Sequence, residues 1–524
     1  VTRSYDMGEV VVTAVDDVSL RVDEGDPVEL DPWPAAGVVL VGPGSGRSGE
    51  VVVGHDHQGR PARTVVTGQK VLRPAPDRHP STVVGSPDRG GGMAGTSSNA
   101  DLLRRQHAVV APYVHALYAE PIAIDRGRGS WVWDVEGNRY LDFFGGVLTT
   151  MIGHDHPEVT AAVREQVGRV AHTSTLYLSE PMIELAELIA SRSGIPDARV
   201  FFTASGTEAN DTALQLATSY RGSNQVLAMR NSYHGRSFSA QAITSHAGWT
   251  ATSLSGLDVH FVQGPYRLRS PHRDLDDDAF VEACVSDLQQ LLDMVSAGSV
   301  ACLIAEPIQG VGGFAVPPDG FFGALHKELD NRGILYVSDE VQTGWGRTGD
   351  HFWGYQAHGI VPDILTFAKG VGNGLALAGV VARAEIMETV DVTSFSTFGG
   401  NPLSAAAGLA TVRHVLAEDL QGNARTMGRR FEEGFEPVAA TTPWIAERRG
   451  RGLMQAIEVT GPGSLEPDAN RATALLEAAR DEGLLVGIGG LYRNVVRMAP
   501  MLNVTAEEID IAVDALTSAV HRVG

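Results

Sequence analysis

Lys369 and Asp339 are the residues around which a chemistry can be built. Each closes a short apolar run rich in β-branched and aromatic residues: Ile334-Leu335-Tyr336-Val337-Ser338-Asp339 and Asp363-Ile364-Leu365-Thr366-Phe367-Ala368-Lys369. Such runs mark buried strands. The two residues stand thirty positions apart, about the length of one strand–connection–strand unit. In open α/β sheets ligands bind at the carboxyl ends of the strands. An amine and an acid at neighbouring strand ends suit pyridoxal phosphate: the lysine condenses with the aldehyde, and the aspartate pairs with the protonated pyridine nitrogen. A structural ion pair uses the same two residue types, so other stretches must decide.

Ser205-Gly206-Thr207 interrupts a strand at 199–203 and opens an amphipathic helix through Ala213, Leu216 and Ala217. Free amides, a hydroxyl and the positive end of a helix dipole suit a phosphate there, although an ordinary N-cap has the same pattern. Tyr233-His234-Gly235 follows a strand at 226–229 and offers an aromatic face for stacking on a planar ring. A strand at 301–305 ends in Glu306-Pro307-Ile308-Gln309-Gly310. Arg497 lies within the short apolar strand Val495-Val496-Arg497-Met498, where a buried charge needs a partner. His154 and His156 precede a helix from about Glu158. With no nearby cysteine or further paired acid they read as turn and cap residues, and no metal is expected.

These residues need a scaffold, and the chain supplies its pieces in order. Residues 131–142 read as a hairpin around Glu136-Gly137-Asn138. Helices are expected at 280–294 and 470–482, and Thr505-Ala506-Glu507-Glu508 is a capping box opening a final helix. At 524 residues, 43% apolar and 20% charged, the chain reads as a soluble globular protein of two or three domains. A net charge of −22 argues against nucleic acid or an anionic membrane as a partner. No apolar run approaches the roughly 20 residues that span a bilayer. Cys284 and Cys302 sit in apolar surroundings and read as reduced packing residues, and a cytoplasmic location is expected.

Residues 1–92 differ in character. Their alternating strands and Val41-Gly42-Pro43-Gly44-Ser45-Gly46-Arg47-Ser48 resemble the opening of an ABC-transporter ATPase. The phosphate loop is short by one residue between its glycines and has Arg47 where lysine belongs. Residues 54–92 read as loop or disorder. The segment is expected to be a non-catalytic extension, with Met93 as a natural start.

From about residue 105 onward the chain resembles the class III pyridoxal-phosphate aminotransferases. The resemblance rests on Ser205-Gly206-Thr207-Glu208-Ala209-Asn210, Tyr233-His234-Gly235, Glu306-Pro307-Ile308-Gln309-Gly310, Asp339-Glu340-Val341-Gln342-Thr343-Gly344, Ala368-Lys369-Gly370 and Thr397-Phe398-Gly399-Gly400-Asn401-Pro402, in that order. Within the class, Tyr140-Leu141-Asp142-Phe143-Phe144-Gly145-Gly146, His172-Thr173-Ser174-Thr175 and Gly483-Leu484-Leu485-Val486-Gly487 look most like the alanine–glyoxylate aminotransferases. Trp345 stands where the family usually has phenylalanine.

The resemblance implies an α/β protein of PLP-dependent transferase fold type I, aspartate-aminotransferase-like. A large domain with a mostly parallel seven-stranded sheet at 156–395 is joined to a small α+β domain at 396–524, against which residues 93–155 pack. It implies that Lys369 holds the aldehyde and then moves a proton between the substrate α-carbon and the cofactor C4′. Asp339 keeps the pyridine nitrogen protonated, Gln342 contacts the phenolic oxygen, Tyr233 stacks on the ring, and Ser205, Gly206, Thr207 and His234 complete the cofactor site. Thr397 reaches the phosphate of a neighbouring subunit, implying a homodimer with shared sites. Arg497 grips the substrate carboxylate, and Glu306 pairs with it when no carboxylate is there. The expected reaction is a ping-pong transfer from an amino acid (alanine or a β/ω-amino acid) to a 2-oxo acid (glyoxylate or pyruvate). Acetylornithine- or 4-aminobutyrate-type transamination, an aminomutase or a decarboxylase is the alternative on the same scaffold, and an ATP-binding module built on residues 1–48 is the alternative from another class.

Overall fold

The structure, a computed structural model, describes residues 97–252, 254–294 and 298–524. It also describes five short strands, Val10–Thr13, Ser19–Val22, Val38–Val39, Glu50–His55 and Pro61–Val65. The chain divides into two compact units, 1–93 and 94–524. In the first, Val10–Thr13 pairs antiparallel with Ser19–Val22, and the other three strands form a small antiparallel sheet. Residues 54–65, expected as loop, are therefore partly strand: Val51 and Val52 face Thr64 and Arg63 across the ladder, and the β-branched residues on both sides favour pairing. The expected phosphate loop at 41–48 and residues 66–92 lie outside the described residues.

The second unit is built on a seven-stranded sheet. Its order is Asp258–Val262, Gln225–Met229, Cys302–Ala305, Leu335–Asp339, Ile364–Phe367, Ala378–Arg383, Ala198–Thr203. The first five run parallel, and Ala378–Arg383 runs antiparallel to both of its neighbours. The sheet is covered on both faces, which is why its central strands are apolar throughout rather than alternating. On one face Val226, Ala228, Val337 and Ile364 meet Ala213, Leu216 and Ala217 of the helix Gly206–Arg221. On the other, Leu227, Met229, Leu303 and Tyr336 meet Phe280 and Leu288 of Asp277–Met294 and Phe322 and Leu325 of Phe321–Asn331. Each such buried side chain contributes about 1.5–3 kcal/mol.

Two four-stranded sheets complete the unit. One joins Ile445–Arg451, Met454–Val459, Val495–Met498 and Gly487–Gly489, all antiparallel. The other carries the expected hairpin, Trp131–Asp134 against Arg139–Asp142, flanked by Ile124–Arg128 and by Leu484–Leu485. Consecutive residues 484–489 thus serve both sheets, with Val486 at the changeover. Among the described residues no helix is long and apolar enough to cross a membrane. Cys284 and Cys302 are free and buried, and burial pushes both thiols up to about 12.

Candidate active site

A cavity of about 380 Å³ opens at the carboxyl end of the central strands. Its lining includes Ser205, Gly206, Thr207, Tyr233, His234, Glu306, Asp339, Gln342 and Lys369, so nine of the residues singled out in the sequence meet there. Thr149, Asn210, Val341 and Leu377 also line it.

Asp339 ends its strand buried, and a buried carboxylate requires donors. Three are present: His234 Nδ1 at 2.7 Å and Asn210 Nδ2 at 2.8 Å on one oxygen, and the Val341 N–H at 3.1 Å on the other. Asn210 has no freedom to turn its amide, because its oxygen accepts the Thr366 hydroxyl at 2.8 Å while its nitrogen also serves the His234 carbonyl at 2.8 Å. With Nδ1 committed to Asp339, His234 Nε2 is buried without a protein partner. The Gln342 amide oxygen is buried and likewise unpartnered.

The opposite wall is the start of Gly206–Arg221. Ser205 is its N-cap, the hydroxyl accepting the Glu208 N–H at 3.2 Å, and the Glu208 carboxylate returns to the Ala204 N–H at 2.9 Å. The first-turn amides of this 16-residue helix face the cavity region with the positive end of its dipole. Gly235 closes against this turn with φ +135°; a Cβ there would lie 2.6 Å from Thr207 Oγ1, so glycine is required.

Lys369 follows two residues after the strand Ile364–Phe367 and opens a short turn, Lys369–Gly372, at φ +50°. A left-handed non-glycine residue is held there by its surroundings at a cost in strain. Burial lowers the pKa of its amine, and the nearby Asp339 and Glu306 oppose that shift. Among the described residues the amine has no hydrogen bond or ion pair.

At the cavity's far end Glu306 accepts the Tyr233 N–H at 3.0 Å and the Gly310 N–H at 2.8 Å. Burial pushes its carboxyl up to about 7. Arg497, 4% exposed, donates to the Gly310 carbonyl at 2.9 Å and the Ile488 carbonyl at 3.0 Å, and its Nε is left over. Its guanidinium lies over the rings of Phe144 and Phe314, 5.3 and 5.4 Å from their centroids. The expected Glu306–Arg497 ion pair is not formed: the Tyr233 and Gly310 N–H groups serve the carboxyl, and the Gly310 and Ile488 carbonyls serve the guanidinium. Just before the cavity residue Thr149, four consecutive residues, Gly145 to Leu148, have φ between 54° and 63°, a left-handed turn that includes the β-branched Val147.

Three residues noted in the sequence fall outside this lining: Arg497, Trp345 and Thr397, the last being expected at a neighbouring subunit's site. Thr397 is exposed and does not line this cavity. Trp345 is buried at φ +69° against Phe352, Trp353 and Phe367, behind the Lys369 strand. Of the two histidines, His154 holds Asp142 Oδ2 at 2.9 Å, while His156 is the N-cap of Pro157–Arg169 without a side-chain capping bond. Glu340, to which the sequence assigns no role, is structural. It is buried, with its oxygens shared among Ser338, Thr343 and the amides of Gly354 and Tyr355, and so folds the 340–355 connection back beneath the sheet end.

These groups fit pyridoxal phosphate along its whole length. The helix start suits the phosphate, the Asp339 carboxylate the ring nitrogen, the unpartnered Gln342 amide the phenolic oxygen, and the depressed Lys369 amine the aldehyde. A model of the family described as aminotransferase class-III matches residues 113–520. The chain is 36% identical over 425 residues to the mitochondrial alanine–glyoxylate aminotransferase 2 homolog 2 of Arabidopsis thaliana, covering 80% of this chain and 87% of that one. It is 38% identical over 402 residues to the acetylornithine aminotransferase of Mycolicibacterium smegmatis, with 76% and 93% covered. The crystal structure of an (S)-enantioselective omega-transaminase from Thermomicrobium roseum superposes with a TM-score of 0.75 at 34% identity, covering 81% of this chain and 98% of that chain.

Proposed function

The chain belongs to the class III aminotransferases, enzymes dependent on pyridoxal phosphate, and from that premise we propose that it moves the amino group of alanine or a β/ω-amino acid to glyoxylate or pyruvate in a ping-pong cycle. The observation that carries this reading is the convergence of Lys369, Asp339 and the Ser205–Thr207 turn on one cavity, with Arg497 linked through Gly310 to Glu306 of its wall. Pyridoxal phosphate, when bound, supplies an aldehyde that takes up the amino group and a ring that draws off electron density from the substrate α-carbon. Lys369 Nζ is the amine that takes and returns the α-carbon proton, and burial favours the neutral form this task needs. Asp339, fixed by three hydrogen bonds, would face the ring nitrogen and hold a proton on it. Arg497 binds the substrate carboxylate, and its two terminal nitrogens, each with one carbonyl partner, retain further N–H donors for that role. We place the cofactor-binding domain at 156–395 and the small domain at 396–524, with residues 1–92 outside the chemistry.

Assay of a donor panel against glyoxylate and pyruvate tests the proposal. Turnover of alanine with glyoxylate is expected. Turnover of acetylornithine without alanine would replace the donor, and no turnover with any oxo acid would overturn the reading. A homodimer with shared sites belongs to the same proposal. Leu176, Tyr177 and Leu178 are exposed, Leu178 by 92%, as is Phe398 beside Thr397. His172 lies 5.0 Å from Phe398, so the two loops form one apolar surface of the kind a second copy covers. Light scattering that finds only monomer would remove this part.

A further inference from the structure

Tyr118 lies in the segment leading into the hairpin, far from the cavity residues in sequence. Its hydroxyl donates to the Val486 carbonyl at 2.9 Å and accepts the Val486 N–H at 3.0 Å. Val486 is the residue at which the chain leaves one sheet for the other, so neither backbone group has a ladder partner. A buried, unpaired backbone N–H and C=O are costly, and this one phenol satisfies both. Burial keeps the hydroxyl protonated, as a donor must be. The segment is pinned again next door, where the Ala119 N–H reaches Glu477 at 2.7 Å.

The neighbours of Val486 both bear on Arg497. Leu485 accepts the Phe143 N–H at 2.9 Å. Gly487 packs so closely on the next residue that a Cβ would sit 2.2 Å from the Phe144 ring, and that ring lies under the Arg497 guanidinium. On the other side Ile488 gives its carbonyl to Arg497 Nη2. The aromatic support and a hydrogen-bonding anchor of the arginine thus branch from the residue that Tyr118 holds.

We infer that Tyr118 is a positioning residue for substrate carboxylate binding, acting through Val486 on Arg497. The inference rests on the reading of Arg497 as the carboxylate grip. The test compares wild type with Tyr118→Phe, which keeps the ring and removes only the hydroxyl. The donors are alanine and 1-propylamine, and calorimetry measures binding of propionate, a carboxylate without an amine, to the cofactor-loaded enzyme. The variant is expected to lose roughly three- to tenfold in kcat/KM for alanine, through KM, the size of one net hydrogen bond. Propionate binding should weaken by the same factor, with propylamine turnover held within about twofold.

Equal losses for both amines, or unchanged propionate binding, would overturn the inference. A wild type that does not favour alanine over propylamine would overturn the reading of Arg497 instead. If Tyr118→Phe is insoluble, Glu477→Ala removes the acceptor of the Ala119 N–H and loosens the same segment from a more exposed position. It should produce the same split at smaller size, and a change in thermal stability alone would count against the proposal.

Discussion

Glu306 and Arg497 meet through Gly310, which gives its N–H to the carboxyl at 2.8 Å and its carbonyl to the guanidinium at 2.9 Å. Acid and base are therefore near each other without being spent on each other. The arginine's Nε stays unpartnered, and the carboxyl is raised by burial rather than lowered by an ion pair.

Arg497→Lys should raise KM for carboxylate donors and leave the visible spectrum of the loaded enzyme largely intact. A lysine keeps the charge but loses the fork. A charged hydrogen bond is worth roughly 1.5–3 kcal/mol, so kcat/KM for alanine should fall about ten- to a hundredfold. Equal losses for an alkylamine would remove Arg497 from the substrate site.

Glu306 should give the enzyme a pH-dependent stability. Its folded value is raised from 4.5 to about 7, so the stability it contributes is complete below about 4.5 and is lost as the pH rises through about 7. Glu306→Gln has no charge to bury. The difference in Tm, wild type minus variant, should shrink from pH 5 to pH 8; a difference flat over that range would refute the assignment.

Asn210→Ala should weaken retention of pyridoxal phosphate, measured as its dissociation constant from the folded enzyme. The amide links Asp339, the His234 carbonyl and Thr366. Leaving such buried groups unpaired costs about 1–3 kcal/mol, or roughly five- to a hundredfold. Unchanged affinity together with a lowered Tm would make Asn210 a purely structural residue.

Lys369→Ala should reduce transamination by more than about a hundredfold, the lower end of what a positioned proton-transfer group contributes. The chain contains only three lysines, Lys70, Lys327 and Lys369, so chemical trapping is unusually clean. Borohydride treatment of the loaded wild type should leave one pyridoxyl group on the Lys369 peptide, found by mass spectrometry. A label on Lys327 instead would move the anchor.

The cavity was legible where function and burial share a signal. Asp339 and Lys369 end apolar runs, and the parallel ladder sets Asp339 beside Thr366, three residues short of Lys369. The strand Ala378–Arg383 went unread because Ala378, Gly379 and Ala382 carry little β-propensity. Gly379 is nevertheless required, since a Cβ would lie 2.6 Å from the Phe201 carbonyl oxygen and the Phe367 ring. Asn210 stood inside a quoted motif but reads as one more helix residue; its partner Asp339 is 129 positions away. Tyr118 sits in a stretch with no periodicity, and its two bonds span 368 positions. The expected Glu306–Arg497 pairing failed because a sequence shows charges and not the backbone groups free to meet them.

The left-handed turn at Gly145–Leu148 has a consequence for any attempt to make this protein more heat-resistant. Val147 and Leu148 each sit at φ 63°, where an L-residue gives up about 1–2 kcal/mol that glycine does not. At Val147, which is exposed, glycine would relieve that strain with little burial lost, whereas Leu148 is 3% exposed and packs in a core cluster, so removing its side chain would cost more than the strain it relieves. Both lie in the turn that runs from Phe144, under Arg497, to Thr149 on the cavity wall. Selection on thermal tolerance alone would therefore act on Val147 and leave Leu148 in place.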